Sequence, residues 1–445
     1  SRYFSTLNRQ YGRDCIRVSL FSEEIKTDDS SRLILPKNDT FLGYFIVRPT
    51  FPASYSRSFL NPNVFAKTNF ISCLSNSTAL IEGVEYNTDG FPHASQDGIV
   101  HSCSETAIWV LMEYFGAKYE YYGTTLPSAI HKVLQKITFQ RLIPSRGMAI
   151  NQIGYTLRKF GFGSLQYTLS KYKDEEKDID DFKYIVNDYI ESGIPIIAIT
   201  QSKDKKRRHA FLMIGHSKSI NGDFISTKKI ESIKNYNEFS NDNIDYKIVD
   251  TFDYFDREYI IMDDNKPPYM KAPYESIGKY YGEKHPMAID SEFFGIIVPL
   301  YPKIYLDAVN ARNLFRSIIK NKVYGWKQKS QTQLISRLLL TSSRSFKRVI
   351  RDYKDNRDII TLMLNIVMPK FIYLCEITSP SLFNKKLSLG LIIFDSTSSK
   401  HDSVRNNLLA IIYPDKIYLN KSGTLIQKTI KINPIPLYIN NLKKN

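Results

Sequence analysis

Gln96, Cys103, His209 and the adjacent pair Asp263 and Asp264 are of the types that nucleophilic acyl transfer requires. A cysteine supplies a sulfur nucleophile, a histidine takes and returns its proton, and a carboxylate or amide fixes the histidine ring. An amide side chain beside the cysteine's own backbone N–H can donate to the oxyanion that forms when a carbonyl is attacked. Cys103 lies in QDGIVHSCSETAIWVLMEYF (96–115), which passes from polar loop to apolar helix at one point. Ser102 suits an N-cap, and Glu105 three positions later completes the spacing of a capping box. The pattern predicts a helix opening at Cys103, with Ala107, Ile108, Leu111, Met112 and Phe115 on one buried face. The thiol then falls in the first turn, where unpaired backbone N–H groups and the helix dipole favour a thiolate.

The elements that must position these residues follow an α+β order. Residues 1–95 read as a strand-rich extension: RVSLF, FLGYFIVRPT and STALIEGVEY carry β-branched and aromatic runs, separated by turn sequences such as PKNDT and NTDG. After the Cys103 helix, LPSAIHKVLQKI (126–137) and MAINQIGYTLRKFG (148–161) read as amphipathic helices, the second closing on glycine. DIDDFKYIVNDYIESG (178–193) is a third, with acidic residues at its start and Gly193 at its end. Short buried strands come next: IPIIAIT (194–200), HAFLMIG (209–215) and EYIIM (258–262). His209 begins one of them, leaving the basic loop KDKKRRH for apolar surroundings. Asp263 and Asp264 directly follow another, where a strand end presents a carboxylate beside the sheet. His216, at the far end of HAFLMIG, is a fallback base, and strand alternation predicts that it faces the opposite side from His209.

Gln96 and Cys103 before a helix, followed by GIPIIAIT, HAFLMIG and IIMDD, resemble the papain-like cysteine peptidases, closest in style to the bacteriocin leader-cleaving branch with its Gln, Cys, His, Asp order. The resemblance covers about residues 90–300. It implies a two-lobe fold, with a helical lobe bearing the cysteine and an antiparallel sheet lobe bearing the histidine and aspartate. It also implies that Gln96 belongs to the oxyanion hole, that Cys103 is the nucleophile, that His209 is the general base and that Asp263 orients it. Asp264 and Asn265 compete for that last role. Gln96 stands seven positions before Cys103 where the family usually has six, and Ser104 replaces the frequent Gly or Trp. The implied activity is hydrolysis of a peptide or isopeptide bond by a Cys-His-Asp triad, as a bacterial processing enzyme or a defence or toxin effector. A second reading keeps the scaffold and drops the chemistry, leaving a catalytically inactive binding protein.

Taken singly, each residue has a structural explanation. A cysteine near a helix start is commonly a small buried side chain, a strand histidine is often hydrogen-bonded core, and Asp-Asp after a strand is often a turn. His93, His101 and Cys103 match no common zinc spacing, so no metal is expected. GFGS at 161–164 is too short for a dinucleotide fingerprint, and with no phosphate-binding loop present no cofactor is expected either.

With 445 residues the chain exceeds one ordinary domain. Its 42% hydrophobic and 13% aromatic content excludes a disordered class. No apolar run reaches the roughly 18 residues of a membrane span, and the opening SRYFSTLNRQYGRDC has no apolar core of signal-peptide type. Cys15, Cys73, Cys103 and Cys375 show no paired spacing, which points to a reducing, cytoplasmic setting. The net charge of +16 is uneven. From Tyr301 onward 25 Lys and Arg face 8 Asp and Glu, a net of +17, leaving 36 against 37 before it. This asymmetry sets off a basic C-terminal α/β module (301–445), and the resemblance implies a papain-like peptidase domain (96–300) preceded by the strand-rich extension (1–95). In that module YLDAVNARNLFRSIIK (305–320) and QTQLISRLLLTSSRSFKRVIRDY (331–353) read as helices with cationic faces, and NRDIITLMLNIVMP (356–369) as a more buried one. KFIYLCEIT, GLIIFDS and LLAIIYP suggest a small sheet, with Cys375 in its core. The basic surface has three readings: a solvated face, a dock for an acidic protein, or a phosphate-binding face for nucleic acid with Tyr and Trp326 interleaved.

Overall fold

The computed structural model describes residues 15–30, 33–48, 55–65, 69–96, 102–139, 142, 145–176, 179–217, 238–241, 244–255, 257–288, 291–321, 323–326, 334–352, 357–398, 407–438 and 442–444. Within them the chain is a mixed α+β structure with mostly antiparallel sheets. The N-terminal strands are β1 (Ile16–Phe21), β2 (Phe41–Val47), β3 (Ser58–Leu60), β4 (Phe70–Cys73), β5 (Ser75–Ile81) and β6 (Val84–His93). Five of them form a sheet in the order β1-β2-β3-β6-β5. β5 and β6 are joined through Glu82 and Gly83, with φ of 47° and 81°. A two-residue hairpin of this hand needs both residues left-handed, and glycine adopts that conformation without steric cost. The NTDG stretch expected as a turn lies inside β6, with Asn87 opposite Thr78 and Gly90 opposite Ser75. Gly90 serves close packing: a Cβ there would come within 2.4 Å of the Leu60 carbonyl oxygen. Cross-strand pairing overrides the turn preference of Asn and Asp.

The central part contains α1 (Cys103–Lys118), α2 (Pro127–Leu134), α3 (Ile150–Lys159), β7 (Leu165–Thr168), α4 (Phe182–Glu191), β8 (Ile196–Gln201), β9 (Arg208–Ser217), β10 (Glu238–Asn241), β11 (Ile244–Asp250), β12 (Glu258–Met262), β13 (Met270–Pro273) and β14 (Glu292–Val298). The second sheet runs β13-β12-β9-β8-β14-β7, and β4 pairs with the far end of β9. Helices cover both faces, which is why IPIIAIT and HAFLMIG are nearly continuous in apolar residues. Ala210, Leu212 and Ile214 of β9 join Ile108 and Leu111 of α1 in one core. Phe211 and Met213 join Phe182 and Tyr189 of α4 in another. The single buried face expected for α1 proves too small. Nearly the whole helix from Ser104 to Phe115 is buried, because the N-terminal strands cover its other side, with Phe91 stacked on Tyr114 at 4.8 Å between ring centres.

The last third contains α5 (Ala308–Ile319), β15 (Leu334–Ser342), α6 (Ser343–Arg351), α7 (Arg357–Asn365), β16 (Phe371–Thr378), β17 (Gly390–Asp395), β18 (Leu408–Tyr413), β19 (Lys416–Lys421), β20 (Thr424–Thr429) and β21 (Leu442–Lys444). The third sheet runs β10-β11-β15-β16-β17-β18-β19-β20, with β11 and β15 parallel. The helix expected over 331–353 is therefore half wrong: LISRLLLTS is a strand, and the helix begins at Ser343, where the Ser345 N–H donates to the Ser342 hydroxyl at 3.1 Å. Leu338 and Leu340 face one core and Leu339 the other, and periodicity cannot separate such a doubly buried strand from a buried helix. The apolar core runs across residue 300, since one cluster extends from Tyr167 to Tyr418. β21 returns to the second sheet and pairs with β4, Leu442 lying opposite Cys73.

Part of the basic charge of this third is turned inward. Arg312 pairs with Asp188 and Asp250, and Arg337 pairs with Glu191 and Glu376, each at 3.0 Å. Arg344, Arg348 and Arg351 remain exposed along α6. Among the described residues no helix is long and apolar enough to cross a membrane.

Candidate active site

The start of α1 is fixed as its sequence predicts. The Ser102 N–H donates to Glu105 Oε2 at 3.2 Å, the Ser102 hydroxyl meets the same carboxylate, and the Thr106 N–H closes the first turn on the Ser102 carbonyl at 3.0 Å. Glu105 is buried and also ties in the segment before α3, whose Ser145 hydroxyl donates to Glu105 Oε1 at 2.7 Å. The Met148 N–H donates to the Ser104 hydroxyl at 3.1 Å. Cys103 is the first residue of this anchored turn and is half-buried; its sulfur accepts the Ala210 N–H of β9 at 3.4 Å.

That contact brings the thiol to the next residue back along β9. The His209 imidazole lines the same cleft as Cys103, and its Nε2 lies 3.0 Å from Asp263 Oδ2 and 3.7 Å from Asp264 Oδ1. Asp263 directly follows β12 and is fully buried. Its Oδ2 also accepts the Tyr280 and Tyr281 hydroxyls at 2.7 and 2.6 Å, and its Oδ1 accepts the Asn265 N–H at 2.8 Å. Asp264 is buried too, but among the described residues neither of its carboxyl oxygens has a hydrogen-bond partner.

Burial works against the charge on each of these groups, and their partners decide the outcome. For His209 burial favours the neutral ring, yet the Asp263 carboxylate, with help from Cys103, raises the imidazolium pKa well above the usual histidine range. For Asp263 burial favours the acid, and the His209 charge with the Tyr281 hydroxyl and Asn265 N–H holds it below the usual carboxylate range. Burial, with the charge on Asp263, pushes the Asp264 carboxyl well above the usual carboxylate range. Of the two aspartates, the one nearer the ring is also the one whose charge is hydrogen-bonded.

Gln96 sits on the aspartate side of the site. Its Nε2 donates to Asn265 Oδ1 at 2.6 Å, which engages one of its two amide protons. His216 does not reach the thiol. Its Nδ1 meets the Ser217 carbonyl at 2.8 Å and its Nε2 approaches Glu191 of α4 at 3.5 Å. The expected opposition of His209 and His216 fails because the register of β9 shifts between Met213 and Gly215, resetting the alternation so that His216 shares the α4 side with Phe211 and Met213. Tyr280 and Tyr281 escaped sequence reasoning altogether. They come from the turn Lys279–Tyr281, and the signal that could have found them is a Tyr-Tyr pair in a loop facing the strand that Asp263 follows.

The other thiols are elsewhere: burial pushes Cys73 up to about 11 and raises Cys375 well above the usual range, while Cys15 is exposed. His93 is buried and held down to about 4 by that burial, against a smaller opposite pull from Asp263. It shares a small internal cavity with Cys103 and Asp264, and His101 lies outside the described residues. His209, Asp263 and Asp264 offer ligand atoms within 4.8 Å of one another, the spacing of a possible cation site. The donors around Asp263, two phenol hydroxyls and a backbone N–H, complement a free carboxylate better than a metal-bound one.

Cys103 and His209 open on a cleft of about 440 Å³ lined by Ser104, Met148, Phe294 and several cations. An aromatic cavity of about 350 Å³ lies at the other end of α1, around Tyr119, Tyr122, Tyr301 and Phe371, but its lining has no thiol, imidazole or carboxylate. The thiol and the imidazole both line the first of these, the cleft at the start of α1. A thiol, an imidazole and a buried carboxylate in this order can form a sulfur nucleophile, carry a proton and stabilise the charge created. No protein-family model matches the sequence, and no curated protein matches it either.

Proposed function

We propose that the chain is a cysteine peptidase of papain-like type, hydrolysing a peptide or isopeptide bond through Cys103, His209 and Asp263. The observation that carries the proposal is that Cys103 and His209 line one cleft, with the His209 ring 3.0 Å from a buried Asp263 that accepts three further hydrogen bonds. A helix bearing the cysteine and an antiparallel sheet bearing the histidine and aspartate is the arrangement that the resemblance implies. His209 takes the thiol proton, and the thiolate attacks the substrate carbonyl carbon. The carbonyl π pair moves to oxygen, where the Cys103 N–H at the start of α1 is the donor, while the Gln96 amide donates to Asn265 Oδ1. As the C–N bond breaks, its electron pair takes the His209 proton, and an amine leaves. Water then gives a proton to His209 and its oxygen to the thioester, so that an acid and the free thiol are restored. The thiol assignment is tested with a peptide carrying a thiol-reactive electrophile. Cys103→Ala is expected to abolish labelling, whereas undiminished labelling of the variant removes Cys103 from the mechanism.

A further inference from the structure

The basic loop before His209 is part of the same cleft. Ser202, Asp204 and Arg207 close it on itself: the Ser202 N–H donates to the Arg207 carbonyl at 2.9 Å, the Lys205 N–H to the Ser202 carbonyl at 2.8 Å, and the Arg207 N–H to the Ser202 hydroxyl at 3.1 Å. Asp204 accepts the Ser202 hydroxyl at 2.5 Å and the Lys206 N–H at 3.1 Å, so the loop's one acid is spent on holding its shape. Lys205 adopts the left-handed conformation, with φ of 58°, which a non-glycine residue takes at some cost. The result is a shaped turn that puts Lys205, Lys206 and Arg208 on one wall of the cleft. Arg146 stands on another wall, in the segment that Ser145 and Met148 tie to α1.

Among the described residues no acidic one lines this cleft. Glu105 is buried under the helix start, and Glu292 accepts the Gln201 amide at 3.0 Å. Four cations around one concave site focus a positive potential where an acyl group must lie to meet the sulfur. Resting on the reading of Cys103 and His209 as a peptidase pair, we infer that the substrate is an acidic peptide segment, with carboxylate side chains flanking the bond to be cleaved. A nucleic acid fits the cleft less well. Among the described residues Phe294 is the one aromatic ring besides His209 in its lining, and the Arg208 guanidinium lies over it at 3.7 Å, so that face is not free for base stacking.

The test uses quenched fluorogenic peptides that differ only in having acidic, neutral or basic residues beside the scissile bond. The same peptides are followed by fluorescence anisotropy on the Cys103→Ala protein, which retains the cleft. The acidic series is expected to be preferred by about tenfold in kcat/KM and in affinity at low ionic strength, with the gap shrinking as salt is added. In Lys205→Glu/Lys206→Glu the preference should reverse. Cleavage of all series at equal rates, or an unchanged preference in the charge-reversed protein, overturns the acidic substrate and leaves the peptidase reading standing. No cleavage of any series, with selective binding of the acidic one by the Cys103→Ala protein, overturns the peptidase reading and leaves the acidic ligand standing.

Discussion

At His209 two effects oppose each other, and the carboxylate wins. Burial alone would leave a neutral ring, but Asp263 at 3.0 Å stabilises the imidazolium. A thiolate–imidazolium pair is active while the ring stays protonated, so activity is expected to be lost as pH rises through the raised His209 pKa. Asp263→Asn removes the charge and keeps the shape. The ring then loses its stabilising anion, and the basic limb of the kcat/KM profile should move down by about one pH unit or more, with a loss of about 10²-fold at neutral pH. Asp264→Asn should move the limb less, because Asp264 lies farther from the ring, at 3.7 Å against 3.0 Å, and burial disfavours its charge. A limb that shifts with Asp264 and stays put with Asp263 would exchange their roles. Cys103, His209 and the Asp263–Asp264 pair were legible from residue type and chain order. The choice between the two aspartates was not, since it depends on Tyr280 and Tyr281, which meet Asp263 through loop packing that no local pattern encodes.

At the scale of elements, what was legible is what local chemistry dictates. Ser102 and Glu105 announced the start of α1, and α3 closes as expected on Gly161, whose φ is 97°. What was not legible depends on partners distant in sequence. LISRLLLTS is a strand because β11 and β16 pair with it on either side, and NTDG is strand because β5 lies opposite. The shift in β9 that turns His216 toward α4 is likewise invisible in HAFLMIGH. The cap on α1 also fixes the residue before the thiol. Ser102→Ala removes the hydroxyl partner of Glu105 and is expected to cost about 1 kcal/mol of stability by denaturant unfolding. The Cys103 labelling rate should fall in the same variant, and an unaltered rate at lowered stability would separate the cap from the chemistry.

At the scale of the whole molecule, composition registered the excess of basic charge from Tyr301 onward but not its destination. Some of that charge stays on the surface of α6, while Arg312 and Arg337 join the last third to α4 through buried carboxylates. Glu191 is the centre of one network, meeting Arg257, Arg337 and His216. Its burial opposes ionisation, and the two guanidiniums overcome that and hold it well below the usual range. Glu376 has Arg337 as its cation, and there burial prevails and its pKa is raised. Arg337→Met keeps most of the volume and strips cationic support from both carboxylates, so about 3–5 kcal/mol of stability should be lost at neutral pH. The sign of the pH dependence follows from Glu376. A carboxyl whose folded pKa lies above its unfolded value binds its proton more tightly in the folded state, so its stabilising effect is full at low pH and fades as pH rises through the folded pKa. Without Arg337 that folded pKa rises further. Urea unfolding of the variant should therefore show a deficit against the parent protein that is small in acid and grows toward neutral pH. A deficit that stays constant across that range would mean that packing around the guanidinium, and not its charge, joins β15 to α4.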